Sequence, residues 1–490
     1  MRLLHVGWGF TPWRGGGLIA YVEDVLAAQA ARGHEVSYFF AGRYLPGERP
    51  PHLRRWQRGP VAMHELLNSR ILPGVDYGSL DPGAELDEPV AEAAFRHVLD
   101  VVRPDVVHVQ ELIGLPSSLL AIPRERGVPV VLAVEDYHLL CPTVKLFDAD
   151  ERNCRRRRPG EMCAVCCRDA PADARRQVRE TLRQVVLRTP RADARFDNVA
   201  ERVRWHPGVA RAFASPLVQA LRSRLVPVPE PAPEPAAPVA LRSAPPAAYD
   251  RRREVNAARM GDVDAVLAMS HGVRELCVEL GVAPERLRVL HYTLSHIAAI
   301  EAAPRVAPRD PMVFTVLNGC ASVQKGVNVI VDAVHELDRR GLFGRYRLDV
   351  WGLVAWWHRE FLDAHPDVAL RGHYTRADVP AALEAGDVGI VPSEWEEAYA
   401  YTGPEMLAGG LPVIGNARGG IPDYVEEGRT GWLNRSATGA ELAERIAALV
   451  DAPGEVEALR RGLRERRPEA VKTLATHLDE LEAVYAQLAG

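Results

Sequence analysis

No stretch of this sequence reaches the roughly 18 consecutive apolar residues of a membrane-spanning helix, so nothing in it reads as a span. It also lacks a strong charge of either sign. The formal net charge is -5 over 490 residues and the pI is near 6.4, which gives no global nucleic-acid or membrane-binding signature. The N-terminal MRLLHVGWGF is too short and too soon broken by Gly and Pro for a secretory signal and reads as a first strand; the expected location is cytoplasmic. Cysteine is scarce, with seven residues, but five of them fall between Cys141 and Cys167. That clustering suits a local metal site in a reducing compartment better than a disulfide scaffold.

What is present is apolar content for two cores. At 490 residues and 47% hydrophobic, the chain exceeds the usual single-core size. The first half alternates buried strands with helical stretches. Leu3 to Val6 is a strand, Gly7 to Gly17 a loop rich in Gly and Trp, and Leu18 to Arg32 a helix stopped by Gly33. Strand, glycine loop and helix make a phosphate-binding arrangement; the plainer reading is glycines that only permit a tight turn. HEVSYFFA, PDVVHVQ and PVVLAVED continue as buried parallel strands. A second strand–glycine loop–helix unit begins at Val313, runs through NGCASVQKG and enters a helix from Val327 to Leu337. The expected fold class is therefore α/β: residues 1–295 as one doubly wound domain and 310–465 as another, with an Ala/Pro-rich hinge between. A last amphipathic helix, within 468–490, carries Val471, Leu474, Leu478, Leu481, Val484 and Leu488 at 3–4 spacing.

Between those halves the rhythm breaks. Cys141, Cys154, Cys163 and Cys166 are spaced x12, x8 and x2, with Cys167 adjacent. Four thiolates close a tetrahedral structural zinc site; an iron–sulfur cluster, a labile disulfide and unliganded core cysteines are the other readings. Arg155 to Arg158 lie inside this knuckle and read as a solvated face. Residues 152–224 hold an excess of roughly ten positive charges. Residues 173–224 look helical, and the Pro/Ala tract 226–246 reads as an extended linker, since Pro excludes helix and central strand.

The most informative stretch is PSEWEEAYAYTGPEMLAGGLPV, Pro392 to Val413. It follows a short buried strand, Val388 to Val391, so Glu397 falls on the loop at that strand's C-terminal end, where open α/β sheets place their ligand crevice. Glu405 opens a small-residue helix seven residues further on. Two ionised carboxylates there can accept several hydrogen bonds from the hydroxyls of one polyol. A solvated loop acid and a helix acid favoured by the dipole are the plain alternative. His108, His138, His291 and His373 are isolated and read as structural; Tyr374 reads equally as a cover for a base or as core.

The Glu-x7-Glu spacing from Glu397 to Glu405, with the Gly-x-Pro-Val that follows, resembles retaining glycosyltransferase family 4, the glycogen-synthase-like group 1 enzymes of GT-B fold. GGGLIAYVEDVLAAQAARGHEV, the loop from Gly319 to Gly326 with Lys325, GGIPDYVEEGRTGWL and THLDELEAVYAQL add to the likeness, which covers most of the chain outside 170–248. The resemblance implies two Rossmann-like domains facing across a cleft, with the last helix crossing back onto the first. It implies a nucleoside-diphosphate sugar donor and a small-molecule or glycan acceptor, with no metal for catalysis and no nucleic-acid partner. By the same resemblance Glu405 would hold the ribose. Glu397 and the amides of Ala398, Tyr399, Ala400 and Tyr401 would hold the sugar. Lys325, with the amides at Gly16, Gly17, Gly319 and Cys320, would neutralise the diphosphate, and transfer would be front-face, with Glu397 and Lys325 as the catalytic groups.

Two departures from the family pattern stand out. Cys320 replaces an Arg after the loop glycine, leaving Arg14 or Arg418 as substitutes. Glu135-Asp136 replaces His-Asp on the acceptor side. Trp13, Glu135, Asp136 and Tyr137 are accordingly the candidate acceptor residues, with Trp8 as a further aromatic face, and an amine-bearing acceptor is one expectation. The rival is that Glu135 only caps a turn or pairs with an Arg. A non-catalytic sugar-nucleotide-binding subunit or scaffold, its basic insert docking on an anionic membrane or partner, is the alternative from another class.

Overall fold

The computed structural model describes residues 1–45, 49–179, 181, 243–317 and 319–489. Its first sheet has eight strands: β1 (Arg2–Gly7), β2 (Glu35–Ala41), β3 (His52–Arg58), β4 (Val61–Leu67), β5 (Val106–Val109), β6 (Val130–Val134), β7 (Ala265–Ala268) and β8 (Leu287–Val289). The spatial order is β3-β4-β2-β1-β5-β6-β7-β8, and every pairing is parallel except β3 with β4. Runs such as VVHV and VVLAV are buried throughout because helices cover both faces of a parallel sheet. The antiparallel β3–β4 hairpin was not expected. His52–Arg58 carries too many charged residues to signal a strand, and it lies at the sheet edge, where such residues block pairing with another chain.

The helices of this half are α1 (Gly17–Ala31), α2 (Pro89–Val102), α3 (Gly160–Cys166), α4 (Pro246–Asp262) and α5 (His271–Glu279). Pro246 stands at the first position of α4, where its missing N–H costs nothing. Arg252 on α4 is fully buried. It pairs with Glu85 and donates to the carbonyl of His138 at 2.7 Å, anchoring the helix to the segment after β6. Nearly all of the expected helical stretch 173–224 and Pro/Ala tract 226–246 lies outside the described residues.

The second sheet has six parallel strands: β9 (Met312–Val316), β10 (Tyr346–Trp351), β11 (Val368–Gly372), β12 (Val388–Val391), β13 (Val413–Asn416) and β14 (Gly431–Asn434). Their order is β11-β10-β9-β12-β13-β14. The strand order reverses between β9 and β12, which makes the gap between the loops after those two strands the topological switch point. Around the sheet pack α6 (Val327–Arg339), α7 (Trp356–Ala364), α8 (Val379–Ala385), α9 (Thr402–Ala408), α10 (Gly439–Asp451) and α11 (Pro453–Glu465). The final helix, α12 (Leu474–Ala489), returns to the first sheet. His477 Nε2 lies 2.7 Å from Tyr21 Oη, and Tyr485 Oη lies 2.5 Å from His108 Nδ1, so His108 has the structural role expected of it. No helix among the described residues is long and apolar enough to cross a membrane.

Candidate active site

A cleft of about 680 Å³ lies between the two sheets. On its C-terminal wall, the loop after β9 and the loop after β12 meet at the switch point. Gly326 makes that approach feasible: its φ is +83° and a Cβ there would lie 2.0 Å from the Pro392 carbonyl oxygen. The result sets Lys325 Nζ 2.6 Å from Glu397 Oε1, which also accepts from Ser393 Oγ at 2.8 Å. The Lys325 ammonium further lies 4.9 Å from the centroid of the Trp395 ring, a cation–π distance. Burial alone would raise the Glu397 carboxyl, but Lys325 and the hydrogen bonds from Lys325, Trp395 and Ser393 outweigh it and hold the pKa below the ordinary value.

The following residues form a hydrogen-bond donor surface. The amides of Ala398, Tyr399, Ala400 and Tyr401 make no hydrogen bond among the described residues, and all four residues line the cleft. Ala400 sits at φ +54°, a left-handed conformation uncommon for a residue with a side chain, of the kind that clusters at binding sites. Glu405, in the first turn of α9, also lines the cleft. One of its oxygens lies 2.7 Å from His296 Nε2. His296 belongs to the stretch read only as a hinge, and an isolated histidine in an aperiodic Ala/Pro-rich segment gave no signal. His373, Tyr374 and Arg376 line the same wall, so His373 is at the cleft rather than in the core.

Cys320 is a correction. Its side chain is fully buried in the apolar core, away from the cleft, and its N–H donates to the Leu353 carbonyl at 2.9 Å, so neither can serve a diphosphate. Burial pushes its thiol up to about 12. Gly319 and Ala321 do reach the cleft. Arg418 donates to the carbonyls of Ala417 and Ser436 and does not line it.

On the N-terminal wall, Gly16 (φ +104°) and Gly17 begin α1, whose first turn holds no acidic residue and presents unpaired amides to the cleft. A Cβ on Gly17 would sit 2.9 Å from the Tyr401 ring, so glycine here is what lets the two walls meet. Of the four acceptor candidates only Glu135 lines the cleft. Trp13 is buried against Phe10 and Phe40, with the Arg14 guanidinium 4.5 Å from its ring centroid; Trp8 takes the same guanidinium at 4.7 Å. Asp136 is committed to the turn after β6, accepting from the His138 amide at 2.8 Å. Tyr137 is buried and donates to the Glu396 carbonyl at 2.6 Å. Among the described residues Glu135 pairs with no arginine: neither of its buried oxygens has a hydrogen-bond partner there.

The cysteine knuckle buttresses the Glu397 loop from behind. Asn153 Nδ2 donates to the Glu394 carbonyl at 2.9 Å and Arg155, exposed as expected of this run, also meets the Glu396 carboxylate at 2.5 Å. Cys141, Cys154 and Cys163 are buried and Cys166 is half-buried. The only three metal-ligand-type residues among those described whose ligand atoms all lie within 4.8 Å of one another are His271, His291 and Asp423. The four cysteines expected to hold zinc therefore do not converge at that spacing. Burial raises the Cys163 thiol and pushes Cys166 up to about 11. His291 is not isolated: it bonds Asp423 at 2.8 Å and stacks on Tyr399 at 5.4 Å, linking the two walls.

Two family models match the chain, together over more than half of it. Residues 16–162 match the glycosyl transferase 4-like domain and residues 311–452 match the glycosyl transferases group 1. Over 135 residues the chain is 30% identical to a protein of Escherichia coli K12 named for a glycosyltransferase role in colanic acid biosynthesis, covering 26% of this chain and 33% of that one. It is 30% identical over 219 residues to a D-inositol 3-phosphate glycosyltransferase of Pseudarthrobacter chlorophenolicus, covering 41% and 51%. The matches thus span about a third to a half of these relatives. Among solved structures, Anabaena HepE in complex with UDP and glucose superposes with a TM-score of 0.56 at 12% identity over 99% of both chains. The sucrose-phosphate synthase of Thermosynechococcus elongatus does so with a TM-score of 0.58 at 14% identity, over 100% of this chain and 99% of that one. Both share the fold, two doubly wound domains facing across a cleft.

Proposed function

The chain belongs to the glycosyl transferases of group 1, and from that membership we propose that it moves a sugar from a nucleoside-diphosphate donor to an acceptor, with retention at the anomeric carbon. The observation that carries this reading is the convergence of Lys325, Glu397, Glu405 and the open amides of Ala398 to Tyr401 on one wall of the cleft. Lys325 and the N-terminus of α1 approach from two sides the place where a diphosphate would lie. As the C1–O bond to the diphosphate breaks, the leaving oxygen gains negative charge, and preorganised amides and an ammonium stabilise it at little reorganisation cost. An acceptor hydroxyl forms its bond to C1 from the same face and passes its proton to that leaving oxygen. Glu397 receives sugar hydroxyls and stays ionised; it forms no covalent intermediate. The Lys325–Glu397 pair must part or share the ligand as the donor enters, so the ligand-free contact is a resting arrangement. The electrostatic part of catalysis falls to Lys325 and the amides, without a metal.

The test is titration calorimetry with UDP, the nucleotide in the Anabaena complex, and with ADP, followed by UDP-sugar turnover. Micromolar binding that weakens at least tenfold in Lys325→Ala, with turnover lost in Glu397→Ala, is the expected result. Absence of nucleotide binding overturns the reading; binding without turnover favours a non-catalytic sugar-nucleotide subunit.

A further inference from the structure

The N-terminal wall contains one carboxyl group that nothing among the described residues binds. Glu135 follows the C-terminal end of β6, lines the cleft and is only 9% exposed, yet neither carboxyl oxygen has a hydrogen-bond partner among those residues. A buried polar group left unmatched costs free energy, and an occupant of the site recovers it. Two buried phenols near it, Tyr292 and Tyr401, have hydroxyls without hydrogen-bond partners among the described residues; burial raises the pKa of both, and the Glu135 charge adds to it. Tyr401 comes from the donor loop on the opposite wall. The two Glu135 oxygens and the phenol oxygen of Tyr401, which also lines the cleft, are three acceptors beside aromatic rings, and an ammonium group with three N–H donors would satisfy them.

The surrounding charge favours a cation as well. Behind Glu135 stand Asp136 and Glu111, which are hydrogen-bonded to each other and both buried. No arginine, lysine or histidine bonds to Glu135 among the described residues. A hydroxyl would meet one oxygen and leave the acidic field uncompensated; a cationic nitrogen meets both oxygens and offsets the field.

We propose that the substrate lodged against this wall carries a cationic nitrogen, the ammonium of an amino sugar or aminocyclitol, and that Glu135 is the residue that selects it. The proposal rests on the glycosyltransferase reading and names the class of substrate for that same cleft. The amine belongs either to the acceptor or to the sugar of the donor. Burial, with the neighbouring Asp136 adding to it, holds the Glu135 carboxyl well above the ordinary carboxylate range. An ammonium lodged against it favours the ionised form and draws the proton off the carboxyl.

The experiment is titration calorimetry of the full-length protein, with and without UDP. Matched pairs are glucosamine against glucose and N-acetylglucosamine, 2-deoxystreptamine against myo-inositol, and UDP-glucosamine against UDP-glucose for the donor arm. At least one amine should bind tenfold or more tightly than its neutral partners. Its binding should release up to one proton at pH 7, read from the heat in buffers of different ionisation enthalpy. Glu135→Gln and Glu135→Leu, checked for wild-type melting, should abolish both the preference and the proton release. Neutral partners binding within threefold in every pair would overturn the proposal, as would a preference that survives in both variants. Failure to bind UDP counts against the glycosyltransferase reading alone, because the nucleotide-free titrations still decide the role of Glu135.

Discussion

On the C-terminal wall Glu397 meets Lys325 at 2.6 Å and Ser393 at 2.8 Å, whereas on the N-terminal wall Glu135 meets no donor among the described residues. Both acids sit just past the C-terminal end of a parallel strand and both are buried. Their pKa values move in opposite directions, below the ordinary value for Glu397 and well above it for Glu135. The desolvation is common to both; the difference is the partner. The C-terminal wall holds a charge already compensated, and the N-terminal wall holds an acid with no compensating partner among the described residues.

The largest effect expected from breaking this contrast is on the C-terminal wall. Lys325→Ala should lower turnover by about a hundredfold or more, the usual cost of removing one stabilising donor from developing charge. It should also raise the Glu397 carboxyl, moving the acidic limb of the pH–rate profile upward. An unchanged acidic limb would mean that the pair is not what holds Glu397 ionised.

Next in size is the anchor behind the N-terminal wall. Arg252→Ala strands the buried Glu85 and the His138 carbonyl and should destabilise the protein by about 3 kcal/mol, seen as a lower midpoint in urea. Replacement by Met, with both Arg252 and Glu85 made apolar, should cost clearly less.

A smaller, pH-dependent effect follows from Glu135. Its folded pKa is raised, so the fold favours the protonated acid. That contribution is fully present below the ordinary value of 4.5 and is lost as pH climbs toward the raised folded value. Glu135→Gln should therefore match wild type in melting temperature near pH 4 and exceed it progressively as pH rises above about 5. For Glu397 the sign reverses: its stabilisation is present above 4.5 and fades as pH falls through the depressed value. Equal melting curves for Glu135→Gln and wild type across the range would show that the carboxyl finds a partner in solution. The smallest effect belongs to Cys320→Ala, about 1 kcal/mol of stability and no change in nucleotide affinity, since its side chain faces the core.

Much of this architecture was legible in residue order. Buried runs such as Val388–Val391 and the 3–4 spacing of Leu474, Leu478 and Leu481 specify strands and a helix wherever they are placed, because both periodicities are local. The Glu-x7-Glu stretch likewise placed Glu397 and Glu405 in one cleft, since a short strand, loop and helix leave little freedom between them. The β3–β4 hairpin was not legible, because its edge strand is polar. His296 was missed because its partner, Glu405, is 109 residues away.

The sequence by itself determined two doubly wound domains, the loop that carries Lys325, and the pair of glutamates beside it. Tertiary structure decided which neighbours became ligand-facing. It turned Cys320 into the core, spent Tyr137 on the Glu396 carbonyl and Trp13 on packing, and left Glu135 at the cleft without a hydrogen-bond partner among the described residues. The reason is physical. Backbone pattern sets where a residue lies along its element, but whether its polar atoms find a partner depends on groups that only the other sheet supplies.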